Sequence, residues 1–312
     1  MQYIKNEWIK MWSQKNAWMM LIIIIALIAL VSGINKYYDV DASTKEARQA
    51  ANEEWLNDYN ETLQDPSLPK EDKKFFEEEI LKIQYRIDHD LPPIEKVTFS
   101  EQMDTSISLS IMMISIFTVV VAAGIVSNEF GTGTIKMLLT RPVARWKILL
   151  SKLVTAYLYG LTLLVVSLAF SAIVAVILFG TESAFTVVIE NGQAVAQTIE
   201  NNFLENILYS VASLIVPIIF AFMIGSLFDS STLAVSLSIF IILMGQTATM
   251  ILANYDFTKY IWFANDLSQF APGNSPIIEG LTLSFSIIVN VVYAVVFLVI
   301  TFLYFMKRDV TA

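Results

Sequence analysis

Six runs of this chain are apolar throughout, and each is long enough to cross a bilayer, which takes about 20 residues in a helix. They cover 17–34, 107–126, 153–179, 207–228, 233–253 and 283–306, and none contains Asp, Glu, Lys, Arg or His. A hydrocarbon core offers the backbone no partners, so such runs must be helices that satisfy their own N–H and C=O groups. The pattern predicts an all-α integral membrane fold with six transmembrane helices. Composition agrees: 16% of the 312 residues are charged, against about 25% in an average soluble domain. The first run exceeds the h-region of a signal peptide, about 7–15 residues, and follows a Trp-bearing amphipath, so it reads as a span.

Orientation follows from Lys and Arg in the short flanks. The N-terminal flank carries Lys5, Lys10 and Lys15, the segment between the second and third runs carries Lys136, Arg141, Arg145, Lys147 and Lys152, and the tail carries Lys307 and Arg308. Residues 180–206 have no Lys or Arg and four acids, Glu182, Glu190, Glu200 and Glu205. Both termini are therefore expected in the cytoplasm and residues 35–103 outside. The nine basic residues of that outer segment do not conflict, because loops beyond about 60 residues translocate largely regardless of charge. Most of the net charge of −9 comes from this loop.

Residues 1–16 read as a cytoplasmic interfacial helix. Ile4, Trp8 and Trp12 fall four apart on one face, and Trp favours the headgroup level. Lys5, Glu7 and Lys10 fall away from that stripe. Residues 35–103 read as an extracytoplasmic helical hairpin. Ser43 and Glu46 suggest a capping box. Trp55 and Tyr59 share a face, residues 65–69 break the helix, and Phe76, Ile80, Ile83 and Ile87 form a second stripe that Pro92-Pro93 ends. Glu77, Glu78 and Glu79 are expected to be solvated, and His89 to sit at the surface. Residues 17–34 and 104–312 make up the transmembrane domain.

Chemistry is bounded by what is missing. There is no cysteine and one histidine, so thiolate sites and His-based triads have no material. No phosphate loop, Gly-x-Ser-x-Gly or His-Glu-x-x-His occurs. The chain is not expected to be an enzyme or to hold a cofactor or metal, and nucleic acid is not an expected partner. Spans free of ionisable groups also argue against ion-coupled transport. Asn290, Gln246, Ser108, Ser110 and Ser115 are among the polar groups available in the spans. Ser167, Ser171 and Ala175, at four-residue spacing, suit close helix packing more than substrate binding.

Residues 128–152 are the most informative. Gly131 and Gly133 permit a sharp turn as the second span ends. Thr132 or Thr134 can cap a short helix with an apolar face of Ile135, Leu138 and Leu139, and Pro142 breaks it and opens the next. Arg141, Arg145 and Lys147 stay at the surface. The outcome is a short amphipathic element suited to docking into a partner's groove. A generic basic loop would account for the charges but not for the paired glycines, the Leu-Leu or the Arg-Pro.

This stretch resembles the signature of type-2 ABC export permeases: an acid, Gly-Thr, a Leu-rich short helix, Pro-Val-small-Arg, and a Lys entering the next span. Glu129, Gly133, Thr134, Leu138, Leu139, Pro142, Val143, Arg145 and Lys152 stand at those positions. The layout is similar too: an interfacial helix with Glu7 and Lys10, six spans, both termini inside, a short turn at 229–232, and a partly apolar outer segment from Tyr255 to Gly280. The resemblance implies a permease subunit of an ABC exporter in a bacterial cytoplasmic membrane. Its partners would be two copies of a cytoplasmic ATPase, which bind ATP and Mg, and a second permease copy, a homodimer being favoured over a heterodimer. Glu129, Gly133, Thr134, Leu138, Leu139, Pro142 and Arg145 would couple to the ATPase, while Ile4, Trp8 and Trp12 meet membrane lipid. Similar permeases serve in export of, or resistance to, peptide antibiotics, lantibiotics and bacitracin; lipid-like cargo is the other expectation. The outer hairpin is larger than in compact members. The alternative reading is a non-transporting sensor or regulatory subunit whose outer hairpin binds a ligand.

Overall fold

A computed structural model describes residues 2–39, 44–65, 68–93, 96–134, 144–181, 185–190, 192–198 and 202–307. It contains six helical stretches long and apolar enough to cross a membrane: Lys15–Tyr37, Phe99–Gly131, Arg145–Phe179, Phe203–Leu227, Ser231–Leu252 and Leu283–Lys307. The chain divides into two compact units, Met1–Ala26 with Ile107–Leu168 and Asn202–Ala312, and Leu27–Ser106 with Ala169–Asn201.

The first unit begins with α1 (Gln2–Trp12) and the start of α2 (Lys15–Tyr37). It includes most of α5 (Phe99–Gly131) and the first two thirds of α6 (Arg145–Phe179). It continues through α7 (Phe203–Ser213), α8 (Ile215–Leu227), α9 (Ser231–Leu252) and α10 (Leu283–Lys307). The sequence predicts one span over 207–228, but the helix is broken at Leu214. Pro217 has no N–H to give the Ser213 carbonyl, and its ring crowds that oxygen, so the helix restarts instead of continuing. Downstream of the break, Val216 and every residue from Ile218 to Ser226 are buried, and α8 packs against α9 and α10. Gly225 lies on the backbone of Ala123, with no room for a Cβ. The outward faces stay apolar: Val291, Val292, Val295, Val299 and Leu303 of α10 are exposed, as a lipid-facing stripe would be.

Between α9 and α10 the chain makes three 3-10 turns, Asp256–Tyr260, Trp262–Asn265 and Leu267–Phe270. Irregular backbone among apolar helices needs internal partners, and three side chains supply them. Asn265 is fully buried; its Nδ2 donates to the Lys259 and Ile261 carbonyls, and its Oδ1 accepts from Ser286. Gln269 Nε2 donates to the Ala264 carbonyl while its Oε1 accepts from the Ile277 N–H. Asn290 Nδ2 donates to the carbonyls of Asn265 and Ser286.

The second unit contains α3 (Lys45–Leu63) and α4 (Lys70–Asp88), which pack together, with Tyr59 edge-on to Phe76 at 5.4 Å. The cap of α3 is Thr44, whose hydroxyl accepts from the Ala47 N–H; Ser43 lies outside the described residues. Helix α4 ends at Asp88, before Pro92-Pro93, because Asp90 turns left-handed at φ 54 and the Leu91 N–H reaches back to the Arg86 carbonyl at 2.8 Å. Glu79 is not solvated as expected: it is buried and paired with Lys82 at 2.6 Å. Packing on two sides explains this, since a β-hairpin also lies against α4. Its strands, β1 (Phe185–Glu190) and β2 (Gln193–Thr198), run antiparallel with Glu190 opposite Gln193 and Phe185 opposite Thr198. This small sheet, which the apolar runs do not predict, sits in a fold that is otherwise predominantly helical, consistent with an all-α membrane protein. Its sequence signal is Asn191-Gly192 between strand-forming residues, a strong two-residue hairpin turn, and Gly192 has φ 79. A capping box is formed by Thr98 with Glu101: each side chain takes the other's backbone N–H, at 3.0 and 3.3 Å. It starts α5 well ahead of the apolar run.

A buried ion cluster as candidate functional site

Three helices meet at four charged side chains. α1 is amphipathic, but the side carrying Glu7 and Met11 is turned inward, with Met11 buried and the Glu7 side chain 12% exposed. From sequence Glu7 falls on a polar face; the structure places it against protein, because a carboxylate there finds a cation. That cation is Lys152, two turns into α6 and 1% exposed. Its Nζ donates to Glu7 Oε2 at 3.0 Å and to Glu129 Oε1 at 2.6 Å. Glu129, near the end of α5, also accepts from Lys10 Nζ at 2.6 Å. The two carboxylates are balanced by the buried Lys152 ammonium and the half-exposed Lys10 ammonium, as carboxylates out of water must be if desolvation is not to exceed the attraction. Glu129 Oε2 is buried and accepts no hydrogen bond, so the cluster is held through one oxygen of that carboxylate. Aromatic packing supports it: Trp12 stands 5.8 Å from Trp8 and 5.4 Å from Tyr159, and the buried Tyr159 hydroxyl donates to the Ala17 carbonyl.

Beside the cluster is a groove of about 440 Å³ between α1 and the end of α5, edged by Gln14, Asn128, Thr132 and Thr134. Helix α5 ends through Gly133, whose φ of 74 is the left-handed value a helix C-cap favours. Gly131 plays a different part from the one its sequence position suggests. It is the last helical residue, and a Cβ there would lie 3.3 Å from the Asp229 carbonyl oxygen, so it serves close approach and not the turn. Thr132 Oγ1 donates to the Asn128 carbonyl and lies 3.0 Å from Thr134 Oγ1. Leu138, Leu139 and Pro142 lie outside the described residues. Arg145 opens α6, and its guanidinium donates to the Met306 carbonyl at 3.2 Å, satisfying an end carbonyl of α10. Ile4, Trp8 and Trp12 are half-buried.

The structure thus brings Glu129 together with Glu7, Lys10 and Lys152, and places Arg145 at α10. From sequence these four residues are grouped only through the family resemblance; otherwise Lys10 and Lys152 enter as basic flanks, and Glu7 and Lys10 as the polar side of α1. Their own signal is modest: a lysine seven residues into a long apolar helix, with acids nearby that could neutralise it. Among the described residues no three His, Cys, Asp or Glu are placed to hold a metal ion.

The family model described as a protein of unknown function, DUF2705, matches residues 75–311, a range that contains Glu129 and Lys152 and leaves α1 outside. The chain is similar to the uncharacterized protein YhcI of Bacillus subtilis (strain 168), 36% identical over 316 residues and covering 98% of each chain. It is also similar to the uncharacterized membrane protein YdbK of the same organism, 31% identical over 209 residues, covering 65% of this chain and 80% of that one. The chain, a multi-pass membrane protein with six apolar helices of spanning length among its described residues, belongs to the DUF2705 family.

Proposed function

We propose that this chain is the membrane-spanning permease subunit of an ABC-type exporter, working with two copies of a separate ATPase and a second permease copy. The observation that carries the reading is the ion cluster: Lys152 and Glu129 join α6 to α5 at 2.6 Å, and Glu7 and Lys10 fasten α1 to both. Those two long helices flank residues 132–144, the stretch that resembles a coupling element. A push on that stretch would be shared among α1, α5 and α6 instead of bending one helix end, because breaking a buried pair is costly. Both termini lie in the cytoplasm in this reading, α1 lies along the membrane surface, and α3 and α4 form an outer hairpin. The basic flanks and the acidic 180–206 segment support that orientation.

The test is docking. Burying a leucine side chain is worth about 1.5–3 kcal/mol. Changing Leu138 and Leu139 together to Asp should abolish pull-down of the ATPase from solubilised membranes and stimulation of its activity, with insertion intact. A double variant that inserts and still recruits and stimulates the ATPase would sink the proposed coupling site. Stable isolation of the wild-type chain with no ATPase would favour a sensor or regulatory subunit.

A further inference from the structure

The first unit holds a second cavity, of about 320 Å³, bounded by α5, the α7–α8 break, α9, α10 and the 3-10 segment. Its walls are mostly apolar, with Ile111, Leu214, Ile242, Leu243 and Phe263 among them. One ionisable side chain lines it, Asp266. Its Oδ1 is fully engaged: it accepts from the Ser213 hydroxyl, and from the Ser268 N–H and hydroxyl at 2.9 and 2.8 Å. The helix break at Pro217 makes this possible, since it ends α7 at Ser213. The carboxylate is therefore fixed in place through one oxygen. Among the described residues Oδ2 has no donor and the charge no cationic partner.

Two side-chain amides line the same cavity. Asn290 spends both its amide hydrogens on backbone carbonyls, which orients Oδ1 as an unused acceptor. Gln246, on α9, also lines it. An anchored carboxylate, the Asn290 acceptor and the Gln246 amide, with the hydroxyls of Ser108, Ser115 and Ser210, stand among apolar walls and lack both a strong donor and a positive charge. A primary ammonium group supplies both. We propose that this cavity binds the primary ammonium head of an amphiphile, with Asp266 as its counter-ion and the apolar walls holding the adjoining chain. Its size suits a small ligand or one end of a larger one. The proposal names cargo chemistry for the exporter reading; binding itself stands without that reading, and only transport of the bound amphiphile rests on it.

The experiment uses the full-length chain in phosphatidylcholine nanodiscs, without ATPase, and a dansyl-labelled decylamine carrying a free terminal ammonium. Saturable fluorescence enhancement is expected for this probe and not for its N-acetylated, uncharged form. Asp266→Asn should weaken amine binding by roughly tenfold or more, as loss of a charge-assisted hydrogen bond implies. Leu243→Trp should block binding by filling the cavity without touching the carboxylate, and it decides the matter if Asp266→Asn does not fold. Competition when phosphatidylethanolamine replaces part of the lipid would identify a lipid headgroup as the occupant; its absence would identify a non-lipid amphiphile. Equal binding of the two probes, undiminished amine binding by folded Asp266→Asn, or binding unaffected by Leu243→Trp would overturn the site. Because no ATPase is present, these outcomes are separate from success or failure of docking.

Discussion

Lys152 and Arg48 each hold a carboxylate, but in opposite surroundings. In the first unit the Lys152–Glu129 pair has side-chain exposures of 1% and 4%. In the second, Arg48 and Asp90 pair at 2.8 Å with exposures of 22% and 35%. Water has left the first pair and still screens the second. Removing one partner from a buried pair strands an unneutralised charge, whereas an exposed pair gives up an interaction that water largely replaces. One cluster is therefore a structural joint whose members depend on each other. The other trims the end of α4, where Asp90 also closes the helix in the left-handed conformation.

The largest effect should come from Lys152→Met. It leaves Glu7 and Glu129 with Lys10 alone, and should cost about 3–5 kcal/mol, the range for breaking a buried pair. Thermal unfolding of the purified protein reads this, with Lys10→Met as control. Lys10 has a side chain 52% exposed, so its loss should matter much less. Equal melting of the two variants would erase the distinction between joint and surface pair.

Glu7→Gln should fall between. Its side chain is 12% exposed and, among the described residues, pairs with Lys152, and the amide keeps an acceptor for that bond. A loss of about 1–3 kcal/mol is expected, the scale of a hydrogen bond to a charged group. The same melting series checks it, and a loss as large as that of Lys152→Met would mean that α1 is fastened mainly through Glu7.

The smallest effect belongs to Asp90. The hydrogen bond from Arg48 holds its carboxyl below the ordinary carboxylate value. A depressed folded-state pKa means the contribution is complete above the unfolded value, about 3.9, and is lost as pH falls through the lower folded value. Hydrogen exchange of the α3 and α4 peptides, measured after equilibration from pH 5 downward, should therefore show protection eroding only in the acid range. Asp90→Asn should remove that pH dependence. Salt at about 1 M, where the screening length is about 3 Å, should mimic the variant and leave the Lys152 cluster unchanged. Salt sensitivity in both places would break the comparison.

What can be read from the sequence depends on how local the cause is. The breaker at 65–69 separates α3 from α4 through proline and turn residues in the segment itself. Thr98 with Glu101 and Asn191-Gly192 are equally local, so the start of α5 and the β-hairpin are legible in principle; both escape a reading centred on the apolar runs because they stand outside them. Glu79 is misread as solvated because a helix's own periodicity does not show how many neighbours pack on it. Asp266 escapes for a related reason: an acid in an irregular segment looks like surface until the helix break brings Ser213 to it.

By itself the sequence determined that this chain has six helices of spanning length and apolar outward faces. Apolar runs of that length leave the backbone one way to satisfy itself in lipid, and the choice is made residue by residue along the run. Only the tertiary structure decided which polar groups would be hidden and with whom. Glu7, Glu129 and Lys152 lie far apart in the chain, and so do Ser213 and Asp266. Whether such a group is solvated or buried depends on a partner arriving from another helix, since a charge or carboxylate stays inside only when something distant neutralises or binds it.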